Sequence, residues 1–311
     1  MSTPGDRGGR TPPAQLRVAI VQMKPAKGRY AENLATARQA FAQLAQAPPD
    51  LVVFPEAAFT GYFLEGAVYD LAREARAFAR DLAGAWRAAS SEPVAIAAGF
   101  FENDGGTYYN SALYLEVDSA GEMRIAHLHR KLFLPTYGVF DEERFLSRGR
   151  KLGVFETPFG RMALLICEDA WHALVPTIAA IKGARVLIVP SASPGRGIEG
   201  NGELTSVTRW REMLVSAAVE HGVFVIYVGL TGFEGGKGMT GNSCVIDPRG
   251  NVLVQAPATE AAILRADLDL GEVDLARASL PLLGDLDAVL PDLLLDPELP
   301  LPRGNRDVCD R

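Results

Sequence analysis

Short, continuously apolar runs that end abruptly on a polar residue recur along this chain, separated by longer stretches with helical spacing. Leu16–Met23 reads as a strand, and Tyr30–Gln46 as a helix with Ala and Leu on one face. Leu51-Val52-Val53-Phe54 is a second strand, stopped by Pro55 and ending on Glu56. After a turn at Gly61-Tyr62, Val68–Ser90 is Ala-rich and helical, and Pro93–Phe101 is the next strand. Tyr108–Val117 and Arg124–His129, joined by Ser119-Ala120-Gly121, form a hairpin that runs straight into Lys131. Met162–Ile166 has no polar position, as a strand covered on both faces requires. Cys167 stands where that strand gives out, and a helix, His172–Lys182, follows.

The second half repeats the theme. Ala184–Val189 is a third apolar run, ending at Pro190; Thr205–His221 is a helix, Val223–Val228 a strand and Gly232–Gly241 a glycine-rich loop. Cys244–Asp247 and Val252–Gln255 pair across Pro248-Arg249-Gly250, and Ala261–Leu268 is the last strand. From Gly271 the chain is rich in Leu, Pro and Asp without a sheet pattern, so it is expected to lie against something, a partner subunit being the candidate. The chain shows no repeat and no composition break. The alternation predicts an α/β layered sandwich: a disordered lead-in (1–14), one domain (15–270) and a C-terminal extension (271–311) that serves as a subunit contact.

Composition narrows the partners. A formal charge of −7 over 311 residues, with a pI near 5.3, argues against a nucleic-acid or anionic-membrane surface. No apolar stretch approaches the ~20 residues of a membrane span, and the Gly-, Pro- and Arg-rich start lacks the apolar core of a secretory signal. Cys167, Cys244 and Cys309 have spacings that fit neither a disulfide framework nor a zinc site. The expected setting is the reducing cytoplasm, with Cys244 and Cys309 structural or incidental.

Cys167 alone reads as a buried structural cysteine, and Glu56 alone as a solvated strand end. Together with Lys131 they form a set, each directly after an apparent strand, and sheet geometry brings such ends to one edge. A thiol needs a base at neutral pH, and a buried Glu56 supplies one; no histidine nearby in sequence is an obvious alternative. Lys131 and the Glu168 N–H are suited to hold a tetrahedral oxyanion. Glu168 and Asp169 flank the thiol and are expected to raise its pKa, so its activation falls to tertiary partners.

Phe54-Pro55-Glu56, His129-Arg130-Lys131-Leu132 and Ile166-Cys167-Glu168-Asp169, followed by Asn242-Ser243 and the Asp247–Gly250 turn, resemble the nitrilase (carbon–nitrogen hydrolase) superfamily over roughly Leu16 to Leu268. The resemblance implies an αββα sandwich that pairs across a dimer face, a Glu56–Lys131–Cys167 triad, and no cofactor; the sequence offers no metal-ligand cluster either. Lys131–Phe145 and Ile166–Trp171 are similar to the glutamine-amidase domain of glutamine-dependent NAD synthetases. That pattern puts a second family glutamate at Glu142, with Glu143 as the neighbouring alternative. The 311 residues leave no room for an ATP-using synthetase domain, and Glu168 stands where a nitrilase proper has Trp, so the implied substrate is a small carboxamide.

Tyr62, Tyr137 and Trp171 lie near these positions in sequence, and with Glu168, Ser191 and Ser193 they are candidate substrate contacts; core packing is the competing reading for the aromatic residues. His127 and His129 share a strand face with Lys131, where a hydrogen bond or a packed ring is expected rather than a metal. Gly235-Gly236-Lys237-Gly238 matches neither phosphate-binding fingerprint and is read as a flexible pocket rim; Arg209 and Arg211 are read as surface or interface charges. The competing functions are an N-carbamoyl (ureido) amidohydrolase, a nitrilase, a glutaminase subunit feeding ammonia to a separate synthetase, and a scaffold that keeps the fold.

Overall fold

The computed structural model describes residues 14–198, 204–296 and 298–299. The strands are β1 (Gln15–Gln22), β2 (Leu51–Val53), β3 (Val94–Asp104), β4 (Thr107–Val117), β5 (Met123–Arg130), β6 (Val154–Thr157), β7 (Gly160–Leu164), β8 (Val186–Ser191), β9 (Phe224–Gly229), β10 (Thr231–Glu234), β11 (Lys237–Thr240), β12 (Cys244–Ile246), β13 (Val252–Gln255) and β14 (Ala262–Asp269). The helices are α1 (Tyr30–Leu44), α2 (Val68–Leu71), α3 (Ala75–Arg87), α4 (Leu174–Ile181), α5 (Thr205–His221), α6 (Gly271–Ser279) and α7 (Leu282–Leu295), with 3-10 turns at Glu65–Ala67, Glu142–Arg144 and Cys167–Trp171.

Two six-stranded mixed sheets carry the fold, in the orders β14-β1-β2-β3-β4-β5 and β13-β12-β9-β8-β7-β6. Period-two alternation divides their side chains. Leu16, Val18 and Ile20 of β1 and Leu51 and Val53 of β2 join the core shared with the second sheet. Ala19, Val21 and Val52 instead join the core under α1 and α3, with Phe41, Phe78 and Trp86. On the second sheet's far side Val175 and Ala179 of α4 and Trp210, Leu214 and Ala218 of α5 are buried. The layers are therefore helix, sheet, sheet, helix, as the resemblance implies.

Strand direction sets the place of the site. β1, β2 and β3 run parallel, and so do β7, β8 and β9. β5 reverses twice through the β3-β4-β5 meander and regains the direction of β3. The carboxyl ends of β2, β5, β7 and β8 thus open toward one edge, where ligand sites of parallel sheets form.

Several expectations need correction. The helix expected over Val68–Ser90 breaks at Ala72–Glu74, because the Arg73 backbone pairs with β3: its N–H donates to Phe101 O at 2.9 Å and its carbonyl accepts from Asn103 N at 2.9 Å. Helix propensity loses there to sheet extension. Gly232–Gly241 is mostly the hairpin β10-β11, turned by Gly235 and Gly236, both at positive φ (56° and 79°) in a two-residue loop. Pro190 lies within β8 rather than ending it; β7 stops opposite Ile188, so no partner on that side needs the missing N–H. The helix expected from His172 starts at Leu174, behind the Cys167–Trp171 turn, and β6 is a strand that the apolar pattern did not reveal. The segment after Gly271 forms α6, anchored by Val273 and Ala276 and by an Arg185–Asp274 ion pair, and then α7, whose Leu282, Leu293, Leu294 and Leu295 are exposed while Leu283, Leu286 and Leu290 are half-buried. The lead-in through residue 13 and Cys309 lie outside the described residues. Among the described residues no helix is long and apolar enough to cross a membrane.

Candidate active site

Glu56 leaves β2 through Pro55, and Ala57 after it takes φ 52°, a left-handed turn that non-glycine residues rarely adopt. The loop crosses β3 so closely that a Cβ on Gly99 would stand 2.6 Å from the Glu56 Cα and 2.7 Å from the Pro55 carbonyl, so glycine is required there. Cys167 itself has φ 46°. A β-extended run thereby turns abruptly and presents the thiol at the sheet edge, storing strain of about 1–3 kcal/mol. Lys131 follows β5, its N–H donating to the Asn110 carbonyl at 2.8 Å.

These elements bring three charges into a nearly closed space. Lys131 Nζ lies 2.7 Å from Glu56 Oε1 and 2.6 Å from Glu142 Oε1. Glu56 and Lys131 are 0% and 1% exposed and Cys167 is 6% exposed. Glu142 is buried whereas Glu143 is exposed, so the geometry selects Glu142 of the two. Asn110 Nδ2 donates to Glu56 Oε1 at 2.7 Å, and the Ala192 N–H to Glu56 Oε2 at 2.7 Å, which fixes both carboxylate oxygens. The Ser191 hydroxyl donates to Cys167 Sγ at 3.3 Å, and the Tyr62 hydroxyl donates to Glu142 Oε1.

Burial governs the electrostatics. It pushes the Cys167 thiol well up, and the Glu56 charge adds to that more than Lys131 offsets it. The flanking acids are thus not the main cause: Asp169 is turned away from the thiol. Burial works against the Lys131 ammonium, yet Glu142 and Glu56 outweigh it and hold Lys131 charged, well above its usual value. Glu142 is raised by burial to about 7, against the pull of Lys131. A thiol so buried rests protonated, and a thiolate arises only with transfer of its proton.

Asp169 clamps the strand that carries Lys131 to the turn that carries Cys167. Its Oδ1 accepts the N–H groups of Leu132 (2.9 Å) and Phe133 (3.1 Å), and its Oδ2 accepts the Ile166 N–H (3.0 Å) and pairs with His129 Nε2 (2.8 Å). His129 is therefore a hydrogen-bonding partner of Asp169. His127 packs its ring on Phe155 at 4.6 Å. No group of three or more His, Cys, Asp or Glu side chains among the described residues is arranged to hold a metal ion.

Burial, helped by neighbouring His129, lowers His127 from 6.5 to about 4. Its folded pKa lies below its unfolded value, so the unfolded chain takes up the proton first as pH falls. Stability therefore drops between about pH 6.5 and pH 4. In urea titrations across that window, His127→Gln is expected to flatten the loss; an unchanged slope would exclude His127 as its source.

The remaining expected contacts separate into near and far. Tyr62 reaches the centre through Glu142, and Ser191 touches the thiol. Tyr137 is 46% exposed at the rim, its hydroxyl 3.0 Å from both Glu168 carboxylate oxygens. Trp171 packs edge-on against Trp210 at 5.3 Å and shares a cleft of about 290 Å³ with Tyr137, Arg196 and Arg209. Ser193 is brought to the edge only as backbone; its carbonyl accepts from the Thr240 N–H and hydroxyl. Arg209 and Arg211 are exposed on α5. Three contributors escaped the sequence reading. Asn110 left one signal, an amide within a strand, where Asn is disfavoured. Arg196 projects over the rings of Tyr137 (5.6 Å) and Phe140 (5.1 Å). Glu234, on the hairpin, accepts the N–H groups of Tyr62 (2.8 Å) and Phe63 (3.1 Å).

A family model described as carbon–nitrogen hydrolase matches residues 17–278. The chain belongs to the carbon–nitrogen hydrolase family. It is accordingly an enzyme with the α/β fold of the nitrilase superfamily. A carbon–nitrogen hydrolase of Helicobacter pylori superimposes with a TM-score of 0.78 at 26% identity, covering 91% of this chain and 99% of that one. The 2-oxoglutaramate amidase of Bacillus subtilis is 28% identical over 86% of this chain and 96% of its own length. The glutamine-dependent NAD(+) synthetase of Thermotoga maritima is 29% identical over 83% of this chain but only 43% of its own length. This carbon–nitrogen hydrolase thus spans less than half of the synthetases it matches.

Proposed function

We propose that the protein hydrolyses a small carboxamide through a thioester on Cys167, releasing ammonia. The observation that carries this reading is the buried Glu56–Lys131–Glu142 cluster together with a buried thiol on a strained turn. Glu56 takes the Cys167 proton as the sulfur attacks the amide carbon. Lys131 Nζ and the Glu168 N–H hold the oxyanion. Collapse breaks the C–N bond, and Glu56 returns the proton to departing ammonia. Glu56 then takes a proton from water, whose oxygen cleaves the thioester; the acid leaves and the proton returns to sulfur. Glu142 positions Lys131 or the substrate nitrogen, its 2.6 Å contact with Lys131 Nζ favouring the first.

Tyr62 and Ser191 are read as contacts at the amide end of the substrate, and Tyr137, Glu168 and Trp171 as contacts at its far end. Arg196 and Arg209, which share a cleft with Tyr137 and Trp171, favour an amide whose far end carries a carboxylate. The end-to-end match to an amidase of an acidic amide supports the same class. The extension 271–311 is read as a homodimer contact, supported by the exposed Val289, Leu293, Leu294 and Leu295 of α7.

The test is a panel of ω-carboxamides, glutamine, ureido acids and nitriles, with ammonia and carbon dioxide both measured. Ammonia alone from carboxylate-bearing amides is expected, with neutral amides of equal size turned over about tenfold less efficiently, the worth of one charge-assisted hydrogen bond. Carbon dioxide alongside ammonia would replace this reading with the ureido one.

A further inference from the structure

A cleft of about 320 Å³ lies where the segment after the Glu142–Arg144 turn meets the end of β5. Besides Tyr109 and Leu128, the side chains that line it are Arg130, Arg148, Arg150 and Lys151, four cations with no carboxylate in the wall. The chain as a whole has a formal charge of −7, so this concentration runs against its general balance.

The four cations are not equivalent. Arg130 is paired with Glu102 at 2.7 Å and Asp104 at 2.6 Å, and its guanidinium lies 3.9 Å over the Tyr109 ring. Arg148, Arg150 and Lys151 are exposed to solvent and form no ion pair among the described residues. Their backbone is nonetheless held. The Ser147 N–H donates to the Tyr108 carbonyl at 2.8 Å and the Gly149 N–H to the Lys131 carbonyl at 2.7 Å. A Cβ on Gly149 would run into the Arg130 carbonyl, so glycine lets the segment lie this close. Three like charges carried on an anchored segment repel one another, and an anion held between them relieves that repulsion.

Charge selects the ligand. A phosphoryl group carries about −1.5 to −2 at neutral pH, so one leaves the three unpaired cations under-neutralised and two match them. The two guanidinium groups also suit phosphate oxygens, which they bind through paired parallel hydrogen bonds.

We propose that this cleft binds a small molecule carrying two phosphoryl groups, held by Arg148, Arg150 and Lys151 beside the fixed Arg130. Neither Cys167 nor Glu56 lines the cleft, and the binding does not rest on the proposed reaction.

Inorganic pyrophosphate is titrated onto the full chain by calorimetry. Saturable binding of one equivalent per chain is expected, with orthophosphate about tenfold or more weaker because it leaves a charge-assisted contact unmade. The double variant Arg148→Gln/Arg150→Gln, changed only at exposed positions and verified as folded by its thermal transition, is expected to lose about tenfold or more in affinity. Lys151→Gln, expected to weaken binding in the same direction, decides the question if the double variant unfolds. Arg76→Gln/Arg80→Gln, exposed on α3, removes the same charge elsewhere and is expected to bind as the native protein does. No saturable binding to the native protein, affinity unchanged in Arg148→Gln/Arg150→Gln, or an equal loss in Arg76→Gln/Arg80→Gln overturns the site. Citrate, which spreads its charge over three carboxylates, is expected to bind more weakly than pyrophosphate; citrate binding as tightly or more tightly overturns the choice of phosphoryl groups.

Discussion

On the proposed mechanism, Lys131→Ala leaves a folded protein whose turnover of the proposed carboxamide falls by about 10²–10³ or more, the loss that follows removal of one oxyanion donor from a closed site. The effect belongs at the upper end because Lys131 does more than donate. It stands between Glu56 Oε1 and Glu142 Oε1, at 2.7 and 2.6 Å, and its charge keeps two buried carboxyl groups compatible. Without it, Glu56 Oε1 and Glu142 Oε1 lose the cation that stands between them, and the geometry that presents Glu56 to the sulfur is lost with it. Steady-state kinetics with circular dichroism check this. A folded Lys131→Ala protein that keeps most of its kcat would remove Lys131 from the chemistry.

Cys167→Ala abolishes amide turnover altogether, because the proposed route has no other nucleophile. Cys244, the other cysteine among the described residues, is buried in the second sheet and raised by burial to about 12. The fold tolerates the change: alanine removes only the Ser191 hydrogen bond to sulfur and eases a left-handed position little. Ammonia release at the rate of the native protein would contradict a covalent route through this thiol.

Most of what places the site was legible before any coordinates. Each strand read from the sequence that runs into Glu56, Lys131 or Cys167 has its carboxyl end at the same edge as the others, and the alternation of strands and helices gave the layers. Contacts across distant parts of the chain were not legible. Asn110 meets Glu56 across 54 positions and Glu234 meets Tyr62 across 172, and neither has a local pattern that betrays its partner. The hairpin β10-β11 was hidden because glycines replace the alternating side chains that mark a strand. The break at Arg73 was hidden because a helical composition was overruled by pairing to β3. Asp169 reads as one more acid beside the thiol, yet its four hydrogen bonds hold Lys131 and Cys167 in register.

The acyl-enzyme itself is the most direct test. The native protein is mixed with a carboxamide that it turns over, quenched in acid within the first turnovers, digested, and the peptide carrying Cys167 is weighed. The expected result is that peptide heavier by the acyl group without the amide nitrogen, absent from Cys167→Ala and discharged by hydroxylamine as the hydroxamate. Steady turnover with Cys167 unmodified at every time point, or an acyl group found on another residue, would contradict the thioester route.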